Sequence, residues 1–167
     1  MADSDKEADG GTPHLRRGWT TGSCATAATR AAFEGLVRGH FPDPVTVTLP
    51  GGQTPSFALA VTTVGDGWAR AGVVKDAGDD PDVTHGALIL ATVRPSPPGA
   101  GLVFRAGPGV GTVTRPGLPL AVGEPAINPV PRAMIARTLD EARAIGGGPT
   151  DVEVEISVEH GEKLAQR

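Results

Sequence analysis

The sequence predicts an α+β domain with a largely antiparallel sheet and helices packed on one side. Three observations carry that prediction: segments in which apolar and polar residues alternate with period two, two segments bounded by helix start and stop signals, and the order helix, strands, helix, strand. The domain is expected over residues 14–167. Residues 1–13 hold Asp3, Asp5, Glu7 and Asp9 and almost no large apolar side chain, so they cannot offset their own ordering entropy and read as a flexible acidic tail.

The first helix is expected to start near Ser23 and to stop by Gly39. Hydroxyl side chains at Thr20, Thr21 and Ser23 suit N-capping, and Ala25, Ala27, Ala28, Ala31 and Ala32 supply strong helix formers whose small side chains let a sheet or a ligand approach the backbone. Next, Val45, Val47 and Leu49 alternate with Thr46 and Thr48. Gly51-Gly52 then turns the chain toward Phe57, Leu59 and Val61, the pattern of a hairpin. Gly65-Asp66-Gly67 introduces a strand over residues 68–74. Further strands are expected over residues 87–93 and 102–106, separated by the Pro95–Gly99 breaker, and an antiparallel meander is the economical topology. Asn128-Pro129 marks the start of a second helix with Ile135, Leu139 and Ala142 on one face, and Gly146–Gly148 lie beyond its end. In the closing strand, Val152, Val154, Ile156 and Val158 alternate with Glu153, Glu155, Ser157 and Glu159, so one face is wet.

Composition removes several function classes. The 167 residues suit one domain, and 39% hydrophobic content is enough for a core. A net charge of −4 and no clustered Lys/Arg face argue against a nucleic-acid surface. No apolar run is long enough to span a bilayer and the N-terminus lacks the order of a signal peptide, so a soluble, cytoplasmic protein is expected. The single cysteine, Cys24, cannot form an internal disulfide, and no Cys/His spacing of structural-zinc type is present.

Four segments can carry chemistry. At Thr20-Thr21-Gly22-Ser23, free backbone N–H groups and the helix macrodipole favour a carboxylate or phosphate, and N-capping explains the same residues equally well. Residues 107–117 hold Gly107, Gly109, Gly111 and Gly117. They lead into the β pattern Thr112–Thr114 and not into a helix, which argues against a dinucleotide fingerprint. Residues 123–132 stiffen the turn into the second helix with three prolines and leave Glu124 and Arg132 as spare charges. The loop at 74–86 gathers Lys75, Asp76, Asp79, Asp80, Asp82 and His85. Oxygen ligands there suit a hard cation, yet the spacing matches no EF-hand and His suits softer metals, so no metal site is expected.

Taken in order, LRRGWTTGSC at 15–24, VKDAGDDPDVTHG at 74–86, GVGTVTRPGLP at 109–119 and VGEPAINPVPR at 122–132 resemble the cobalt-precorrin-5B C1-methyltransferase family, the CbiD type of cobalamin biosynthesis. The similarity runs from about Leu15 onward. It implies methyl transfer from S-adenosylmethionine to C1 of cobalt-precorrin-5B, giving cobalt-precorrin-6A. Such an in-line displacement from a sulfonium needs positioning and charge management more than a nucleophilic side chain. On this resemblance, substrate carboxylates fall to Thr20, Thr21, Gly22, Ser23, Lys75, Arg115 and Arg132, with Arg16 and Arg17 nearby. The methyl donor falls to Asp76, Asp79, Asp80, Gly109, Gly111, Glu124 and Asn128; the catalytic residues are unassigned.

The resemblance also implies a chain roughly twice this length, in which a second glycine-rich half comes after the pattern Gly161-Glu162-x-Leu164-Ala165. Residues 14–167 correspond to the N-terminal part. The expected partners are the cobalt tetrapyrrole and either a second-half polypeptide or another copy of the chain. A second class stands beside the enzyme: a tetrapyrrole-binding domain or subunit without turnover of its own, completed by a separate second half.

Overall fold

A computed structural model describes residues 19–76, 86–114 and 120–159. The tail at 1–13 lies outside them, as do Arg16, Arg17, Asp79, Asp80, Asp82, His85 and Arg115. The elements, in chain order, are α1 (Thr21–Arg38), β1 (Val45–Thr46), β2 (Ser56–Phe57), β3 (Val61–Gly65), β4 (Trp68–Val74), β5 (Leu88–Pro95), β6 (Leu102–Ala106), α2 (Pro129–Gly146) and β7 (Val152–Glu159). This is the α+β class expected.

Helix α1 forms the middle of the molecule. Eleven of its residues are buried, against four in α2, because α1 packs on β4 and β5 and also carries α2 and the small sheet. Its alanines make that position workable: Ala27, Ala28, Ala31 and Ala32 are fully buried, as are Ala71 and Ala91 on the strands beneath. Small residues on both layers allow close approach, and Phe33, Ile89, Ile135 and Leu139 fill the remaining volume. Gly39 closes α1 in a left-handed conformation with φ 83°, its N–H donating to Gly35 O at 3.0 Å. Arg30 ties the two helices together, bonding Glu34 at 2.7 Å on its own helix and Thr138 Oγ1 at 3.3 Å on α2.

The sheet departs from a meander in two places. The expected hairpin forms only as a separate two-stranded sheet, with Val45 opposite Phe57, and Val61 instead begins β3 in the main sheet opposite Gly72. The five main strands run in the order β3-β4-β5-β7-β6. Strand β7 is inserted between β5 and β6, antiparallel to the first and parallel to the second. The reason lies in the connection: a helix between β6 and β7 returns the chain to the same end of the sheet, which gives a parallel pair. The alternation expected in β7 holds, with Val152, Val154 and Ile156 buried under the helices. On the opposite face, Glu153 bonds Arg94 at 2.6 Å and Arg105 at 3.2 Å. Among the described residues no helix is long and apolar enough to cross a membrane.

Candidate functional site

The start of α1 is built from TTGS. Thr20 is the N-cap in extended backbone, φ −75° and ψ 162°, and its Oγ1 accepts from Ser23 N at 3.0 Å while its carbonyl accepts from Cys24 N at 3.1 Å. These two bonds serve the third and fourth helical N–H groups. The N–H groups of Thr21 and Gly22 have no intrahelical acceptor, so the positive end of α1 presents two donors. Trp19 N donates to Asp76 O at 3.0 Å, which fixes the end of β4 against this turn.

Lys75 and Asp76 come directly after β4. Lys75 is only 6% exposed, and its backbone pairs with both Ala87 and Gly86. Both charges act on Cys24. Burial pushes the Cys24 thiol up to about 11, Lys75 opposes that rise and Asp76 adds to it. The thiol therefore stays protonated at neutral pH and is no nucleophile.

A cleft of about 200 Å³ opens beside the α1 start. Thr21, Gly22 and Ala25 form one wall, Ala126, Ile127, Asn128 and Pro131 face them from the start of α2, and Val110, Ile156 and Val158 close the floor. Gly22 lies at the point of convergence: a Cβ there would stand 3.0 Å from Pro131 Cγ, a tight contact that Pro131 would have to yield to. The α2 side is chemically different. Asn128 is the N-cap yet makes no side-chain cap bond, and Pro129 and Pro131 leave Val130 as the one residue of the first three with a backbone N–H. This end of α2 supplies apolar surface more than donors.

Arg132 holds the α2 lead-in segment in place. Its Nε donates to Ile127 O at 2.7 Å, one terminal nitrogen donates to Pro125 O at 2.8 Å, and the other meets Glu124 Oε1 at 3.2 Å. The guanidinium also lies 5.0 Å from the Phe104 ring centroid. Glu124 and Arg132, spare charges in the sequence, are thus partners here.

Gly107 and Gly109 serve packing. Gly107 N donates to Ile156 O at 2.8 Å and Val158 N donates to Pro108 O at 2.9 Å, which continues the β6–β7 pairing past the end of β6. A side chain on Gly107 would meet Ser157 Oγ, and one on Gly109, where φ is +84°, would meet the carbonyl of Val158. This close approach places Val110 in the cleft floor. Gly111 has open space around it, and its carbonyl accepts from Ala126 N at 2.8 Å.

The fold therefore gathers Thr20–Ser23, Lys75 and Asp76 around the first turn of α1 and sets Asn128 across the cleft. It gives Gly109, Glu124 and Arg132 structural partners, and Arg115, Asp79 and Asp80 lie outside the described residues. Sequence reasoning missed the apolar walls, Ala25, Val110, Ile127, Ile156 and Val158. In β7 the period-two pattern marks inward positions but does not separate cleft from core. Among the described residues no cluster of His, Cys, Asp and Glu could hold a metal ion.

Residues 8–167 match the CbiD family. The chain belongs to that family. A CbiD-family relative from Halorhodospira halophila, named cobalt-precorrin-5B C(1)-methyltransferase, is 66% identical over 151 residues, covering 90% of this chain and 40% of the relative. One of the same name from Paramagnetospirillum magneticum is 65% identical over 153 residues, 92% of this chain and 43% of the relative. The crystal structure of a cobalamin biosynthesis protein (cbiD) from Archaeoglobus fulgidus superposes with a TM-score of 0.64 at 31% identity, over 92% of this chain and 47% of that one. The chain thus spans about two fifths of the length of the curated relatives it matches.

Proposed function

We propose that this chain is the carboxylate-holding part of an S-adenosylmethionine-dependent C-methyltransferase that converts cobalt-precorrin-5B to cobalt-precorrin-6A in cobalamin biosynthesis. The observation that carries the reading is 66% identity, across 90% of the chain, with a relative named for that reaction. The cleft geometry supports the division of labour. Two N–H donors at the positive end of α1 suit a substrate carboxylate, and Ala25, Val110 and Ile156 offer an apolar wall to a flat ring system. Lys75, buried beyond β4, adds positive charge near the same turn.

S-adenosylmethionine, when bound, supplies a methyl group on a positively charged sulfonium. The cleft does not fit that charge, since none of its lining residues is a carboxylate and the α1 dipole repels a cation. Asp76, with Asp79 and Asp80 beyond the described residues, is the donor-side candidate of this chain. The remaining work of this segment is to orient the substrate and exclude water from one of its faces.

Calorimetric titration with a cobalt corrinoid carboxylate tests the reading. The discriminating variant is Thr21→Pro, which deletes one N–H at the first helical position; Thr20 already has the backbone that precedes a proline. Saturable binding that Thr21→Pro weakens about tenfold, and Thr21→Val leaves within about twofold, is expected from the loss of one charge-assisted hydrogen bond. Absent binding, or binding indifferent to Thr21→Pro, defeats the proposal. S-adenosylhomocysteine binding abolished by Thr21→Pro would instead assign this turn to the donor's carboxylate.

A further inference from the structure

We propose that strand β3 pairs with β3 of a second copy of this chain, antiparallel about a two-fold axis through Thr63, so that two five-stranded sheets become one. The inference is independent of the substrate reading. Its first support is the difference between the two edges of the main sheet. In the order β3-β4-β5-β7-β6, each outer strand is paired on one side only among the described residues. The β6 edge is guarded. Arg105, its side chain 61% exposed, bonds Glu153 at 3.2 Å, and the Arg132 guanidinium covers the Phe104 ring. Exposed charge on an edge strand discourages the addition of another strand.

The β3 edge has no such guard. Residues 44–65 contain no Asp, Glu, Lys or Arg in a chain that is 20% charged, and β1, β2 and β3 all fall within that stretch. Thr62, Thr63 and Val64 are exposed, Val64 by 59%. Strand β3 lacks proline, and its register against β4 runs unbroken from Val61 to Gly65, so no bulge turns the edge away. Its four side chains are all β-branched, the type that favours a pleated strand.

The second support is that β3 matches itself. It is five residues long with Thr63 at its centre. A two-fold axis normal to the sheet keeps every side chain on its own face and sets Thr63 opposite Thr63 of the second copy, Thr62 opposite Val64 and Val61 opposite Gly65. Every residue of the strand then has a partner, with a Thr–Thr pair at the centre and a β-branched pair on either side of it. The ends fit as well. Gly65 has no side chain, and the Trp68 indole occupies the place where its Cβ would stand, so Val61 of the second copy meets an aromatic ring. Arg70, 5.2 Å from the centroid of that ring, holds it there. The same pairing takes Val64 out of water.

Five residue pairs make a small interface, so association is weak and depends on concentration. Sedimentation equilibrium of this chain between about 10 µM and 1 mM tests it. The weight-average mass is expected to rise toward twice that of the chain and to stop there. Because the axis passes through Thr63, Thr63→Lys and Thr63→Glu should each weaken association at least about tenfold by setting like charges opposite each other, and an equimolar mixture of the two should recover it to within about threefold. Ile145→Lys, at the far end of α2 where Ile145 is 72% exposed, should change it by less than about twofold. Hydrogen exchange needs no variant and decides the matter if either substitution disturbs folding: amides of residues 61–65 should slow at least about fivefold from the lowest to the highest concentration. A chain whose mass stays that of a monomer at about 1 mM, with exchange at 61–65 unchanged, overturns the proposal and leaves the edge to a different polypeptide. Growth beyond the dimer overturns it too, since β3 would then be adding to β6 head to tail. So does a dimer that Ile145→Lys breaks, or one that the mixture of folded Thr63 variants fails to restore.

Discussion

The two helix starts that face each other across the cleft are built on opposite principles. Helix α1 begins with a working side-chain cap and keeps two backbone donors unspent, whereas α2 begins with an Asn that makes no cap bond and two prolines that remove donors. What the first does with its own hydroxyl, the second does with Arg132, which reaches back from the first turn to three groups of the lead-in segment. One end is chemically open and locally stable. The other is chemically quiet and depends on tertiary contacts, which suits a wall that shapes a cleft and carries no charge into it.

The largest effect expected from breaking this arrangement is at Gly109. Gly109→Ala forces a side chain into a left-handed backbone and against the Val158 carbonyl, and should cost about 3 kcal/mol or more, read by urea denaturation. The damage falls on the cleft floor and the segment bonded to it. Arg132→Met should come next at about 2–3 kcal/mol, because it deletes three hydrogen bonds and a ring contact together. Arg132→Lys should recover little of that, since a point charge cannot span all three acceptors.

The two caps give the sharpest contrast. Thr20→Ala should cost about 1 kcal/mol and Asn128→Ala less than about 0.5, measured side by side, and equal losses would remove the distinction between the two helix starts. The smallest expected effect lies away from the cleft, where Asp151 accepts from Gly99 N at 3.0 Å and Gly101 N at 2.8 Å. Those bonds hold its carboxyl below the ordinary 3.8. Burial opposes ionisation of Glu153, and the bonds from Arg94 and Arg105 outweigh it, so Glu153 sits below 4.5. Both folded values are depressed, so the stability they contribute is complete above the ordinary values and lost as the pH falls through the folded ones. Thermal melts should be flat from pH 7 to about 5 and decline below, with a shallower decline in Asp151→Asn.

Much of this was legible from residue order. Asn128-Pro129 and Gly146–Gly148 bracket α2 because proline and glycine act on the backbone at their own positions. The Thr20 cap and the alternation in β7 are equally local. The parallel β6–β7 pair was not legible, since period two marks a strand without naming its neighbour. Nor was the use of Gly107 and Gly109, whose sequence suggests a loop for a ligand and whose neighbours turn out to be β7.

By itself, the sequence determined both helices, most strands though not β3, the place where α1 offers donors and, through four ordered motifs, the family. Those properties depend on dihedral preferences, caps and side-chain periods that act within a few residues. The tertiary structure alone decided that β7 separates β5 from β6, that Glu124 and Arg132 are partners, and that the two helix starts meet so closely that a Cβ on Gly22 would press on Pro131. Such choices are made by burial shared between residues far apart in the chain, as Arg94 meets Glu153 and Arg30 meets Thr138, and no local preference specifies which distant surface will be there.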